Sequence, residues 1–84
     1  MWYLYVVQCC DGTLYTGVTT NLSRRVDEHN SSTKGAKYTR TRRPVSLVWK
    51  REYKNRSEAQ AAEHKFKKLP RNQKWGMIKG NRNA

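Results

Sequence analysis

The sequence predicts a small α+β domain in the order β-β-α-β-α-α, and three observations lead there. Two apolar, aromatic-rich runs flank a turn signal near the N-terminus. Two later stretches carry apolar residues at helical spacing, and a short β-branched run entered through proline lies between them. At 84 residues the chain has room for one domain, expected over residues 1–80, with 81–84 as a short basic tail. A chain of this size hides only about 60–65% of its unfolded surface, so three Trp, five Tyr and one Phe must furnish much of the core.

The elements follow in order. Residues 2–9 are rich in β-branched and aromatic side chains, Asp11-Gly12 marks a turn, and residues 13–18 make a second strand, so the chain opens with a hairpin. A two-residue Asp11-Gly12 loop would pair Cys10 with Thr13 and send Tyr5 and Tyr15 to opposite faces. A three-residue Cys10-Asp11-Gly12 loop, with Gly12 left-handed in a bulge, would pair Cys9 with Thr13 instead. It would put Tyr3, Tyr5, Val7, Tyr15 and Gly17 on one face. Thr19 or Thr20 can cap a helix in which Leu22, Arg25, Val26 and His29 share a stripe, and the polar run Ser31-Ser32-Thr33-Lys34-Gly35 ends it. Residues 45–49, entered through Pro44, read as a third strand with Val45, Leu47 and Trp49 on one side. Ser57 and Gln60 have capping-box spacing for a helix running to about Leu69, with Ala59, Ala62, Glu63 and Phe66 on one stripe. Pro70 breaks that helix and opens a last one carrying Trp75 and Ile78.

Charge narrows the function. Lys and Arg number 18 against 6 Asp and Glu, a formal charge of +12; no basic residue precedes Arg24, and no acidic one follows Glu63. Such an excess repels itself and is best tolerated beside a polyanion, which favours nucleic-acid or phosphate contact over a merely solubilising surface. No apolar run is long enough to span a bilayer, and Met1-Trp2-Tyr3-Leu4-Tyr5 lacks the basic lead of a signal peptide, so no membrane association is expected and a cytoplasmic location is. Cys9 and Cys10 are adjacent, without C-x-x-C spacing or a ligand-spaced His, which argues for free thiols and against a zinc or redox sensor.

Some ionisable residues sit where apolar ones belong. Arg25 and His29 share the stripe of Leu22 and Val26, and Glu63 shares that of Ala59, Ala62 and Phe66. An internal Arg25–Glu63 ion pair, with His29 as a satisfied helix-end residue, would account for them; so would a site built with Tyr5 and Tyr15, which lie on the strands these helices cover. Spacing alone leaves both accounts open.

The order of these residues resembles a known family. Tyr3-Leu4-Tyr5, Tyr15-Thr16-Gly17, the segment from Asn21 through Arg25 to His29, Gly35-Ala36-Lys37-Tyr38-Thr39 and Glu63 in a helix are together similar to the GIY-YIG nuclease domain. The similarity covers nearly the whole chain and is greatest to the small stand-alone bacterial members of the YhbQ type. The sequence departs from the motifs at Tyr3, where the first has Gly, and at Thr16. The resemblance implies a small three-stranded antiparallel sheet flanked by helices, cutting phosphodiester bonds with one divalent cation, Mg²⁺ or Mn²⁺. Carried over by position, Tyr5 and Tyr15 are the motif tyrosines, Arg25 and His29 the helix pair, and Glu63 the metal-binding carboxylate. One site built from both tyrosines then requires the three-residue hairpin loop.

These residue types suit the chemistry. Hydrolysis of a phosphodiester needs positive charge on the phosphate, an activated water and a stabilised leaving oxygen. One carboxylate can hold Mg²⁺ when waters and phosphate complete its shell, and a permanently charged guanidinium suits a pentavalent phosphate. A tyrosine base is demanding, because ionising a phenol of pKa about 10 at neutral pH takes roughly 4 kcal/mol; which of Tyr5 and Tyr15 takes the proton is open. With no separate reading module expected, recognition falls to backbone and shape. The candidate contacts are Lys37, Tyr38, Arg40, Arg42 and Arg43, in a mobile cationic loop, and Lys65, Lys67, Lys68, Arg71 and Lys74. The expected function is therefore a metal-dependent endonuclease, monomeric and acting on DNA rather than RNA, in repair or recombination. The alternative is a nucleic-acid-binding module on the nuclease fold that cuts weakly or not at all.

Overall fold

The computed structural model describes residues 1–31 and 34–82. Ser32 and Thr33 of the polar run, and Asn83 and Ala84 of the expected tail, lie outside the described residues. Strands β1 (Trp2–Gln8) and β2 (Leu14–Thr19) form the opening hairpin. Gly12 takes φ +85, its N–H donates to the Cys9 carbonyl at 2.9 Å, and the Cys9 N–H donates to the Thr13 carbonyl at 2.8 Å. This is the three-residue loop, and a side chain at position 12 would be strained there. Val7 therefore faces Tyr15 and Tyr5 faces Gly17.

Strand β3 (Ser46–Tyr53) joins the other side of β1, giving an antiparallel sheet in the order β2-β1-β3. It runs beyond the expected residue 49, and its faces differ from the expectation. Val6 pairs with Trp49 and Val7 with Leu47, so the ladder slips at Val48. The bulge leaves Val45 beside Tyr5, Val7 and Cys9, while Trp49 joins Leu4, Val6, Phe66 and Ile78. Strict alternation had put Val45, Leu47 and Trp49 together; one extra residue separates them.

Among the described residues, four helices complete the fold: α1 (Leu22–Ser31), α2 (Lys37–Arg40), α3 (Arg56–Lys67) and α4 (Arg71–Arg82). Helix α2 is too short to leave a periodic signature, and it lies where a mobile loop was expected. Asn21 caps α1, its Oδ1 accepting from the Arg24 N–H at 3.0 Å, while Thr19 accepts instead from the Asn21 N–H. Asn55 caps α3 by accepting from the Glu58 N–H at 2.9 Å, displacing the expected Ser57 by two positions. Asparagine fills both caps because its side-chain carbonyl reaches the N–H three residues on. Pro70 precedes α4 rather than opening it, its carbonyl accepting from the Gln73 and Lys74 N–H groups. Helix α4 continues to Arg82, so its last two residues fall within the expected tail.

The sheet thus separates two cores. Helices α3 and α4 pack Phe66 and Ile78 against Leu4, Val6 and Trp49, with the Trp49 and Phe66 rings stacked at 5.3 Å. Helix α1 covers the other face through Leu22 and Val26, against Tyr5, Val7, Cys9 and Val45. Asn30, near the end of α1, binds both backbone groups of Val45 (3.0 and 2.7 Å) and so fastens helix to strand. Among the described residues, no helix is long and apolar enough to cross a membrane.

Candidate active site

The hairpin register places the Tyr5 side chain across β2 at Gly17. A Cβ on residue 17 would stand 2.6 Å from the Tyr5 hydroxyl oxygen, so glycine there lets the phenol reach the edge of the sheet. Helix α1 carries Arg25 and His29 to the same point. The Tyr5 hydroxyl lies 2.8 Å from His29 Nε2, and Arg25 Nε donates to its oxygen at 3.4 Å. Arg25 is aimed by two further bonds from its Nη1, to Glu28 Oε1 at 3.0 Å and to the Lys34 carbonyl at 2.9 Å. The Tyr15 ring meets His29 edge-on, with centroids 5.2 Å apart, and stacks on Tyr38 at 6.0 Å.

Burial dominates the electrostatics. The Tyr5 phenol is pushed up to about 12, chiefly by desolvation and against the lowering effect of Arg25; Tyr15 and the Glu63 charge raise it further. Glu63, on α3, is thus close enough to be felt at Tyr5. His29 is pushed down to about 4, first by desolvation and then by the positive charges of Arg25 and Arg43, with Glu28 opposing. A buried imidazole is therefore neutral at neutral pH. Arg25 in turn holds the Glu28 carboxyl below its ordinary range.

The five chemical candidates Tyr5, Tyr15, Arg25, His29 and Glu63 are accordingly gathered around one phenol. The Arg25–Glu63 ion pair does not form: Arg25 pairs with Glu28 at 3.0 Å and Glu63 with Lys67 at 3.3 Å. No cluster of three or more His, Cys, Asp or Glu that could hold a metal occurs among the described residues. The single carboxylate of Glu63, its side chain 22% exposed and already facing one cation, fits a hydrated Mg²⁺ or Mn²⁺ whose remaining ligands are waters and phosphate.

The basic candidates divide. Lys67 and Lys74 share a groove of about 240 Å³ with Leu14, Tyr15, Thr16 and Tyr38, beside the tyrosine cluster. Lys37, Arg40 and Lys68 are exposed. Lys65 points away, into a separate groove with Trp49, Arg51 and Met77. Three arginines are engaged in the fold. Arg42 binds Asp11 at 3.1 Å and the Tyr38 carbonyl at 2.9 Å, and lies 4.0 Å over the Tyr38 ring. Arg43 Nε donates to the His29 carbonyl at 2.6 Å, and Arg71 donates to the Gly12 carbonyl at 3.0 Å. The Arg42 and Arg43 bonds tie the segment 37–43 to the hairpin turn and to α1.

Sequence reasoning missed Thr39 and Glu28. Glu28 lies three residues beyond Arg25 on the same helix, the spacing of a side-chain pair. Thr39 left no signal but its place in Gly35-Ala36-Lys37-Tyr38-Thr39.

With fold and site in view, comparison with known proteins identifies the class: residues 1–76 match the GIY-YIG catalytic domain, and the chain belongs to that family. Its members are nucleases that act on nucleic acid and generally use a divalent metal. Within the family the relatives are UPF0213 proteins. The chain is 54% identical over 80 residues to UPF0213 protein DP2720 of Desulfotalea psychrophila, covering 95% of this chain and 73% of that one. It is 50% identical over 78 residues to UPF0213 protein VNG_2274C of Halobacterium salinarum, covering 93% and 100%. The solution structure of EF2693 from E. faecalis aligns with a TM-score of 0.65 at 46% identity, over 98% of this chain and 86% of that one. UPF0213 protein BH0048 of Bacillus halodurans aligns at 0.60 with 41% identity, over 94% and 84%.

Proposed function

We propose that this chain is a divalent-cation-dependent endonuclease. It hydrolyses phosphodiester bonds of DNA in the cytoplasm, during repair or recombination, as a monomer whose working unit is residues 1–80. The observation that carries this reading is the buried Tyr5 phenol, 2.8 Å from His29 and 3.4 Å from Arg25, with the Glu63 charge felt at it.

Without a bound cation, a phenol pushed up to about 12 would take about 7 kcal/mol to ionise at pH 7, which disfavours a standing phenolate. Tyr5 can take a proton from water only as its own proton leaves, and the nearest base is His29 Nε2. Water then loses its proton to the Tyr5 oxygen, the Tyr5 proton passes to His29, and the new oxygen–phosphorus bond forms as the bond to the leaving oxygen breaks. Arg25 faces the phosphate charge that builds in this step. Glu63 would hold the cation, which supplies positive charge to the phosphate when bound. Lys67 and Lys74 on one side and Lys37, Tyr38 and Arg40 on the other track the backbone, with Lys65 and Lys68 adding to the general field. Recognition is then of phosphates and shape, and affinity falls steeply with salt.

The test is cleavage of supercoiled plasmid and of branched DNA with Mg²⁺ or Mn²⁺, for the wild type, for Glu63→Gln and with EDTA. Nicking lost in both controls is expected. Salt-sensitive binding with no cutting by the wild type would overturn the enzyme in favour of a binding module.

A further inference from the structure

We propose that Thr39 is a positioning residue: it fixes His29 as the Nδ1–H tautomer and thereby turns the Nε2 lone pair toward the Tyr5 hydroxyl. The catalytic part of this inference rests on the proposed nuclease reading; the tautomer itself does not.

The argument is an inventory of hydrogens. Thr39 is fully buried, and its hydroxyl has one hydrogen to give. Two groups surround it, the Ala36 carbonyl and His29 Nδ1, each at 2.9 Å. A carbonyl can only accept, so the hydroxyl hydrogen goes to Ala36. Thr39 Oγ1 is then an acceptor toward His29, and Nδ1 carries the imidazole hydrogen. In a neutral ring that leaves Nε2 with a lone pair, and the Tyr5 hydroxyl donates to it.

The opposite tautomer fails the same inventory. With the hydrogen on Nε2, the Tyr5 oxygen would receive from both His29 and Arg25. Nδ1 would then be bare and face the Thr39 oxygen, whose hydrogen is committed to the Ala36 carbonyl, so two lone pairs would meet at 2.9 Å. Two buried acceptors facing each other with no hydrogen between them are strongly disfavoured.

The tautomer decides whether the Tyr5–His29 contact can move a proton. With Nε2 bare, the imidazole accepts the Tyr5 hydrogen and becomes a cation whose Nδ1–H is already held by Thr39. With Nε2 protonated, it can only donate to Tyr5. The residue that sets this choice lies in α2, between exposed Tyr38 and Arg40, so the segment proposed to meet the nucleic acid also orients the base.

The experiment is ¹⁵N NMR of the histidine rings in metal-free protein, with His64→Gln used to assign the two histidines. Wild type and Thr39→Ser should give a protonated Nδ1 and a bare Nε2 at His29 near neutral pH. Thr39→Val, which keeps the shape and removes the acceptor, should move the hydrogen to Nε2. In cleavage assays Thr39→Val should lose about ten- to hundred-fold in kcat with KM for DNA unchanged, and Thr39→Ser should recover most of it. An Nε2–H tautomer in the wild type, or an Nδ1–H tautomer retained in Thr39→Val, would overturn the proposal. The wild-type spectrum decides the tautomer even if Thr39→Val does not fold. A wild type that cuts no DNA fails the nuclease reading and leaves the NMR result standing.

Discussion

Strand β1 sends Leu4 and Val6 to one side of the sheet and Tyr5 and Val7 to the other, and these neighbours enter different environments. Toward α3 and α4, Leu4 and Val6 meet Trp49, Phe66 and Ile78, a set with no direction to its contacts beyond shape. Toward α1 and α2, Tyr5 meets His29, Arg25 and, through His29, Thr39. That side is as deeply buried, with His29 and Thr39 fully enclosed, yet each atom there has an assigned partner. The first face can be repacked at constant volume, whereas the second depends on which atom carries each hydrogen. Alternate residues of one strand thus enter an apolar core on one side and, on the other, a core that includes the proposed site.

This division can be broken from either side. The largest effect is expected from Tyr5→Phe, which keeps the ring and removes the hydroxyl. Cleavage should fall by about 10²–10⁴-fold, read in single-turnover assays, while circular dichroism shows an intact fold. Phe66→Ala is the converse on the apolar face. It should lower unfolding stability by about 3–5 kcal/mol in denaturant titrations, with the cleavage rate of the folded fraction nearly unchanged.

A third prediction concerns acid. His29 is pushed from 6.5 to about 4 in the fold, so below pH 6.5 the unfolded chain binds a proton that the native chain refuses. Stability should therefore be level above that point and fall by up to about 3 kcal/mol on the way down to pH 4. Melting curves across this range check it, and His29→Asn should flatten this part of the profile. The smallest effect is expected at the rim between the two faces, where Lys67 lies 3.3 Å from Glu63. Lys67→Met removes a cation competing for that carboxylate and should tighten Mn²⁺ binding a few-fold, measured by electron paramagnetic resonance without DNA.

Much of this was legible in the sequence because it rests on short-range rules. The hairpin register followed once Tyr5 and Tyr15 had to share a face, since period two puts them there with a three-residue loop and not with a two-residue one. Arg25, His29 and Glu63 stood out as charges on apolar stripes, and burial is what makes such charges visible. Other features depended on partners distant in sequence. Arg42, Arg43 and Arg71 read as free cations, yet each is held by a carboxylate or carbonyl from another segment. Helix α2 spans four residues, too few for a periodic pattern, so Thr39 could not be oriented from sequence. The caps were misplaced because Thr19, Thr20 and Ser57 have capping chemistry as sound as that of Asn21 and Asn55, and only the path of the chain selects between them.

The bulge at Val48 has a further consequence for reading related chains. Residues of β3 before it and after it are out of phase, so an alignment that treats the strand as one uninterrupted ribbon assigns either the two paired positions before it or the five after it to the wrong side of the protein. Removing Val48 would leave Leu47 and Trp49 adjacent and on opposite sides, as they already are across the ladder from Val7 and Val6. Chains one residue shorter at this point can therefore keep the same inside and outside, and a gap placed at position 48 is neutral where a gap one strand away would exchange the apolar face for the chemical one.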